Sequence, residues 1–224
     1  NTSNNDHKFI GDVITPGSIT FDNGGAGATI TTTGNAPPTA TEPNIDFEVG
    51  VPLILNDNLT AIANQTNNTS AAGSLNFVGP ISGPGGFTKE GFGTMTFILG
   101  AGNVGAKTYT GPTEFKAGKI RIRNATASPT ASSSVRVHDG SWIESASSLT
   151  TLQLGAGTLY LNGDGATGSF TSPGGVIRPE RSGTSGAVVT IPNNIVLESD
   201  SVLHLQTQND TTLGSMTLSG VIDG

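Results

Sequence analysis

At 224 residues the chain suits one elongated domain or two small globular ones, yet only 34% of it is hydrophobic and 12% charged. With one Trp, two Tyr and 32 Gly it cannot fill a thick aromatic core, so any core is thin layers of Val, Ile, Leu and Phe. A formal charge of −7 disfavours a nucleic-acid backbone or an anionic membrane as partner, and zero Cys excludes disulfides, thiolate zinc sites and thiol chemistry.

Taken in order, the chain shows short alternating runs ended by turn residues. Residues 1–50 form a less regular N-terminal part, the place where a Gly-, Ser- and Asn-rich composition most favours disorder. Within it Ile19, Phe21 and Ile30 flank the turn Asp22-Asn23-Gly24-Gly25. Leu53 and Leu55 precede Asn56-Asp57-Asn58, and Leu75 and Phe77 lead into Gly79-Pro80. Met95 and Phe97 follow, then Phe115, Ile120 and Ile122. Val135 and Val137 stop at Asp139-Gly140, Leu152 and Leu154 at Gly155, and Leu159 and Leu161 at Asn162-Gly163. Val202, Leu203 and Leu205 stop at Gln206, and Met216 and Leu218 close the series before Gly220. Gly, Asn and Asp tolerate positive φ or fold back on their own backbone, so each run reads as a strand between turns. No run of comparable length has apolar residues at helical spacing, and the fold class is all-β.

The longest apolar run, Met95 to Gly102, is broken by Thr96 and Gly100 and falls short of the ~18–20 residues of a membrane helix. The first residue is Asn rather than Met, which suits either a removed signal sequence or a fragment.

Short strands at these intervals allow a sandwich, a barrel or a parallel β-helix. Repetition favours the last. GSLNFVGPISG at Gly73–Gly83 aligns without a gap to GSMTLSGVIDG at Gly214–Gly224, and PLILNDNLT (52–60) shares an outline with NIVLESDSV (194–202). Such self-similarity points to a solenoid, in which each coil buries its apolar face by stacking on a neighbour.

The segment 83–122 contains Gly85-Gly86-Phe87-Thr88-Lys89, then Gly91-Phe92-Gly93-Thr94-Met95-Thr96-Phe97, then Tyr109-Thr110-Gly111, then Ala117-Gly118-Lys119-Ile120-Arg121-Ile122. This series resembles the autotransporter-associated β-strand repeat of bacterial surface and secreted proteins. Phe87, Met95 and Phe97 replace the smaller aliphatics of the usual pattern, and Val104-Gly105-Ala106-Lys107 enlarges the loop before Tyr109. The resemblance implies a right-handed parallel β-helix, a single elongated domain over 1–224 with 83–122 as its recognisable unit. At about twenty residues per coil, about ten coils make a rod ~45–50 Å long.

Motifs with chemical potential mostly reduce to turns. Gly100–Gly105 and Gly163–Gly168 match GxGxxG, but Thr108, Tyr109, Gly111 and Pro112 follow the first and Thr171, Pro173 and Gly174 the second, so neither opens a helix to hold a pyrophosphate. Gly118-Lys119 lacks the rest of a P-loop. His7, His138 and His204 are dispersed, and His138-Asp139 reads as a strand-end turn. Arg178-Pro179-Glu180-Arg181 and the Glu198/Asp200 pair are the best candidates for glycan cleavage, with a solvated face the favoured reading. Asp22-Asn23 and Asn162-Gly163-Asp164 offer oxygen ligands for calcium, although turn formation accounts for them. Glycosylation triplets at Asn58, Asn64, Asn68, Asn124 and Asn209 matter only in a eukaryotic secretory pathway.

The expectation is therefore a noncatalytic extracellular or cell-surface β-helix, a stalk, layer or fibre component, with no catalytic, cofactor-binding or metal residues and no cofactor. Its expected partners are other copies met through the solenoid ends, or a longer chain into which it continues. The alternative is an adhesin or carbohydrate-binding passenger, for which Tyr109, Trp142 and Tyr160 would have to line a groove for surface glycans. A glycan-cleaving β-helix enzyme stands third.

Overall fold

The computed structural model describes residues 7–9, 17–34, 47–65, 74–98, 105–123, 129–145, 150–165, 175–179, 188–204 and 215–224. Among them the chain is all-β without helix, and its strands, numbered in chain order, pair only in parallel. One sheet holds seven: β1 (His7–Phe9), β4 (Phe47–Val49), β7 (Ser74–Phe77), β10 (Thr94–Phe97), β12 (Gly118–Ile122), β14 (Ser141–Ser145) and β16 (Ile177–Pro179). A second holds eight: β3 (Ala28–Gly34), β6 (Leu59–Gln65), β9 (Phe87–Glu90), β11 (Thr113–Phe115), β13 (Val135–Val137), β15 (Leu159–Gly163), β18 (Ile195–Ser201) and β20 (Ile222–Asp223). β2 (Ile19–Phe21), β5 (Leu53–Leu55) and β8 (Ile81–Ser82) form a third sheet, and β17 (Val188–Ile191) pairs with β19 (Ser215–Leu218) in a fourth.

Up to β9 the chain visits these sheets in a fixed cycle. β1, β2 and β3 lie in the seven-, three- and eight-stranded sheets, and β4–β6 and β7–β9 repeat that order. After β9 that order is kept only in part: Lys107 bridges Ile81 of β8, Thr151 bridges Thr190 in the two-stranded sheet, and Leu203 bridges Ile177 of β16, while β12 is followed directly by β13 among the described residues. Parallel neighbours demand a crossover between each pair, and here the other two sheets supply it.

Strand alternation sends every second side chain into one shared core. Phe47, Leu75, Met95, Ile120, Ile143 and Ile177 are successive partners along the seven-stranded sheet. Leu59, Phe87, Thr113, Val135, Leu159 and Ile195 are successive partners along the eight-stranded one. Most of these are buried and belong to a single hydrophobic cluster. At its middle Phe87 lies edge-on to Phe77 and Phe97, with ring centroids 5.4 Å apart in each case, and 5.9 Å from Tyr109. Such pairs contribute about 0.5–1.5 kcal/mol each beyond the area they bury.

Close stacking is also why certain corners are Gly. Gly83 has φ +107, and a Cβ there would come 2.3 Å from the Leu55 carbonyl of the layer before it. Gly111 of the Tyr-Thr-Gly turn lies so close to Gly85 and Gly86 that a Cβ would meet their backbone at 2.5 Å.

Three expectations need correction. Among the described residues the longest sheet has eight strands, against an expectation of about ten layers, because successive layers are farther apart in sequence than twenty residues, as in Leu159 to Ile195. The two GS…G segments are both strand-turn-strand units, but in different places: β7 and β8 lie in the seven- and three-stranded sheets, β19 and β20 in the two- and eight-stranded ones. Alternation sets which residues face inward and carries no information on which sheet a strand joins. Leu152 and Leu154 are buried as expected, but outside any strand, with only Thr151 bridged.

Candidate functional site

The residues with the most chemical potential in the repeat unit point inward. Lys89 occupies a core position of the eight-stranded sheet, paired with Ala61 on one side and Phe115 on the other. Its ammonium donates to the Gly91 carbonyl and, at 2.6 Å, to that of Ala117. Lys107, on the bridge to Ile81, donates to Gly79 at 2.6 Å and Gly105 at 2.7 Å and lies 5.8 Å from the Phe97 ring centre. Both side chains are fully buried, and burial pushes both amines down to about 7. Each ties carbonyls of two successive layers. The segment 104–107, expected to be only an enlarged loop, thus delivers a core side chain, since a long apolar stem can carry the amine to the carbonyls.

Tyr109 continues this interior bracing. Its hydroxyl meets Thr113 Oγ1 at 2.7 Å, Thr113 donates to Ser132 Oγ at 2.9 Å, and Ser132 lies 2.8 Å from the carbonyls of Gly111 and Ser134. Burial raises the phenol above its ordinary value, and the bond to Thr113 opposes that rise. Asn193, also buried, accepts from the Leu154 amide at 2.9 Å and donates to the carbonyls of Leu154, Gly155 and Gly157.

The sequence candidates are dispersed. His138 sits 3.7 Å from Glu114, while His204 lies beside Arg178. Partial burial, then the Arg178 charge, lowers the imidazole below its usual value. Glu198 is engaged by Arg136 through Nε at 3.0 and 3.1 Å, and the Arg136 guanidinium lies 4.7 Å from the Tyr160 ring centre. Asp200 is exposed, and Glu180 and Arg181 lie outside the described residues, as do the side chain of His7 and Asn68, Asn124 and Asn209. Asp57 accepts the amides of Asn23 and Gly25, and Asp22 accepts from Asn56 at 3.1 Å, so both carboxylates serve the turn itself. Asn162 accepts from Ser199 at 3.0 Å, and Ser199 in turn accepts the Gly163 amide at 2.8 Å. Of the first GxGxxG only Gly105 is described, and of the second Gly163 to Gly165.

The aromatic groove needed for sugar stacking is not formed by the three residues named for it. Tyr109 and Trp142 are buried, and half-buried Tyr160 stacks on Arg136. Among the described residues Phe92, at 77% exposure, is the most exposed large aromatic.

The most concentrated charge cluster lies on the outer side of the seven-stranded sheet, and sequence reading missed it. Glu144 Oε1 receives both Lys119 Nζ and Arg121 Nε at 2.7 Å. In the ladder, Arg121 is the partner of Glu144 on one side and Arg178 its partner on the other. Glu144 is only 5% exposed although it alternates with core Ile143. The alternation Lys119-Ile120-Arg121-Ile122 put both cations outside, but nothing local announces that Glu144 and Arg178 stack beside them. No family model matches the chain, and no curated protein or solved structure matches it.

Proposed function

We propose that the cyclic order of parallel strands is a right-handed parallel β-helix of the autotransporter-associated repeat kind, serving as a noncatalytic structural element outside the cell or at its surface. Right-handedness follows the general rule for parallel crossovers. The observation that carries the structural reading is the fate of Lys89, Lys107 and Tyr109. All three are fully buried: each lysine bonds one carbonyl of its own layer and one of a neighbouring layer, and Tyr109 meets Thr113 of its own layer, which in turn donates to Ser132 of the next. The blocks of the resemblance fall on matching parts of the stack. Gly85-Gly86 enters β9, Thr94–Phe97 is β10, Tyr109-Thr110-Gly111 precedes β11, and Ala117 precedes β12.

The stack presents an open rung at β20, where Val221 is 68% and Ile222 51% exposed beside an unpaired strand edge. Pairing of that edge with another copy extends the rod, since a head-to-tail contact propagates unless it closes. Electron microscopy of native material, with a turnover screen on a polysaccharide panel, tests the proposal. The expected result is end-to-end strings and no cleavage. Turnover of any polysaccharide, or a strictly monomeric particle, would overturn it.

A further inference from the structure

The outer side of the seven-stranded sheet runs against the charge of the whole protein. Three cations, Lys119, Arg121 and Arg178, flank a single carboxylate, Glu144, in a chain whose formal charge is −7. This side is also sheltered. Asn76 and Thr96 alternate with core Leu75, Phe77, Met95 and Phe97, so they lie outside the core, yet both are buried, as Glu144 is. Charges in such a setting interact more strongly than on an open surface.

Glu144 is already satisfied by Lys119 and Arg121 through one oxygen. Arg178 is not so provided. It is half-buried, its Nε is shielded from solvent with no hydrogen-bond partner, and no hydrogen bond or ion pair joins it to any described residue. Its next neighbour along the ladder is His204, whose imidazole its charge disfavours protonating. A shielded guanidinium nitrogen without an acceptor is costly, because it has lost water and gained nothing in return. The planar fork of an arginine matches the two oxygens of a carboxylate or sulfate, and two further cations, Arg121 on the same ladder row and Lys119 two residues before it in β12, keep the local field positive.

We propose that Arg178, supported by Lys119 and Arg121, binds a carboxylate or sulfate oxyanion on the outer side of the seven-stranded sheet. That oxyanion is either a free small anion or a group displayed on an acidic glycan. The site stands on the surroundings of Arg178 and does not depend on the structural role proposed above.

The test uses the whole chain. Sodium sulfate and sodium galacturonate are titrated as small anions, dextran sulfate and polygalacturonate as polymers, and neutral dextran as control. The readouts are the Nε–H signal of Arg178 in a proton–nitrogen spectrum and calorimetric affinity. A saturable shift of that signal is expected, with affinity that falls as salt rises. Arg178→Gln should weaken binding about tenfold or more at an unchanged melting temperature, with Arg178→Lys intermediate, because charge remains and the fork is lost. Lys116→Gln, in the connection between β11 and β12, should bind as the wild type does. Tighter binding of polymer than of monomer assigns the oxyanion to a glycan, and equal binding per group assigns it to a small anion. The proposal is overturned if neither anion class shifts the signal saturably, or if Arg178→Gln or Lys116→Gln shows that the affinity belongs to the overall charge. Should Arg178→Gln not fold, the wild-type titration and Arg178→Lys decide alone.

Discussion

The middle of the stack and its last rungs are built to the same plan with opposite results. Between Phe77 and Phe115 the described inward positions are fully buried, an aromatic group fills the centre, and Lys89, Lys107 and Thr113 tie adjacent layers together. From β18 onward the same alternation leaves Leu197, Met216 and Leu218 only half-buried and Ile222 open. What differs is the number of neighbours. A middle layer is covered on both sides, whereas β20 pairs only with β18. A strand with a parallel neighbour on each side is held by two ladders and covered on both sides, and an edge strand by one.

The largest effect should come from emptying the centre. Phe87→Ala removes a ring touching three other aromatics and should cost about 3–5 kcal/mol in urea unfolding. A cost near that of a terminal-rung truncation would erase the distinction drawn between the two regions.

Next is a pH effect confined to the middle. Lys89 and Lys107 are held at about 7 in the fold against an ordinary value of 10.5. The unfolded chain therefore binds more protons between those values, and the lysine contribution to stability rises with pH across the window, by up to about 1.4 kcal/mol per pH unit for each lysine. Below about 7 both states are protonated and this contribution is flat. Urea midpoints of wild type and Lys89→Met, compared at pH 6 and pH 9.5, should show the wild type gaining on the variant as pH rises. A difference that does not change with pH would contradict the burial of a titrating amine.

Ser132→Ala should cost about 1–2 kcal/mol, because Thr113 loses its acceptor and the Gly111 carbonyl a donor inside the core. Rescue by Thr but not by Val would tie the loss to the hydroxyl. The smallest change is expected at the end of the stack, where Ile222→Ala should alter stability of the dispersed chain by about 0.5 kcal/mol or less. A larger loss that grows with protein concentration would show that this rung is covered by another copy.

Much of the inward face was legible in the sequence. Leu53, Leu55, Leu75, Phe77, Met95, Phe97, Ile120, Ile122, Leu159 and Leu161 alternate as read and all are buried. Period-two alternation survives any tertiary context, because successive side chains of a strand must point to opposite sides. Turns were legible where Gly or Asp is needed for the backbone, as at Asp139-Gly140, where Gly140 has φ +81. The strands β14 and β16 were harder to see. Ser141–Ser145 carries Ser at two of its inward positions and Trp142 on its outer side, which blurs the polar alternation, and Ile177–Pro179 is too short to show a period.

By itself the sequence determined the all-β class, the alternation and the corners, which depend on the chemistry of one or two residues at a time. Only the tertiary structure decided which strands pair, that Lys89 and Lys107 turn inward, and that Lys119, Arg121, Glu144 and Arg178 come together outside. Those outcomes rest on register between segments some twenty to thirty-five positions apart, as Arg121 to Glu144 and Glu144 to Arg178 show. A parallel neighbour is reached only after a crossover whose length no local pattern specifies.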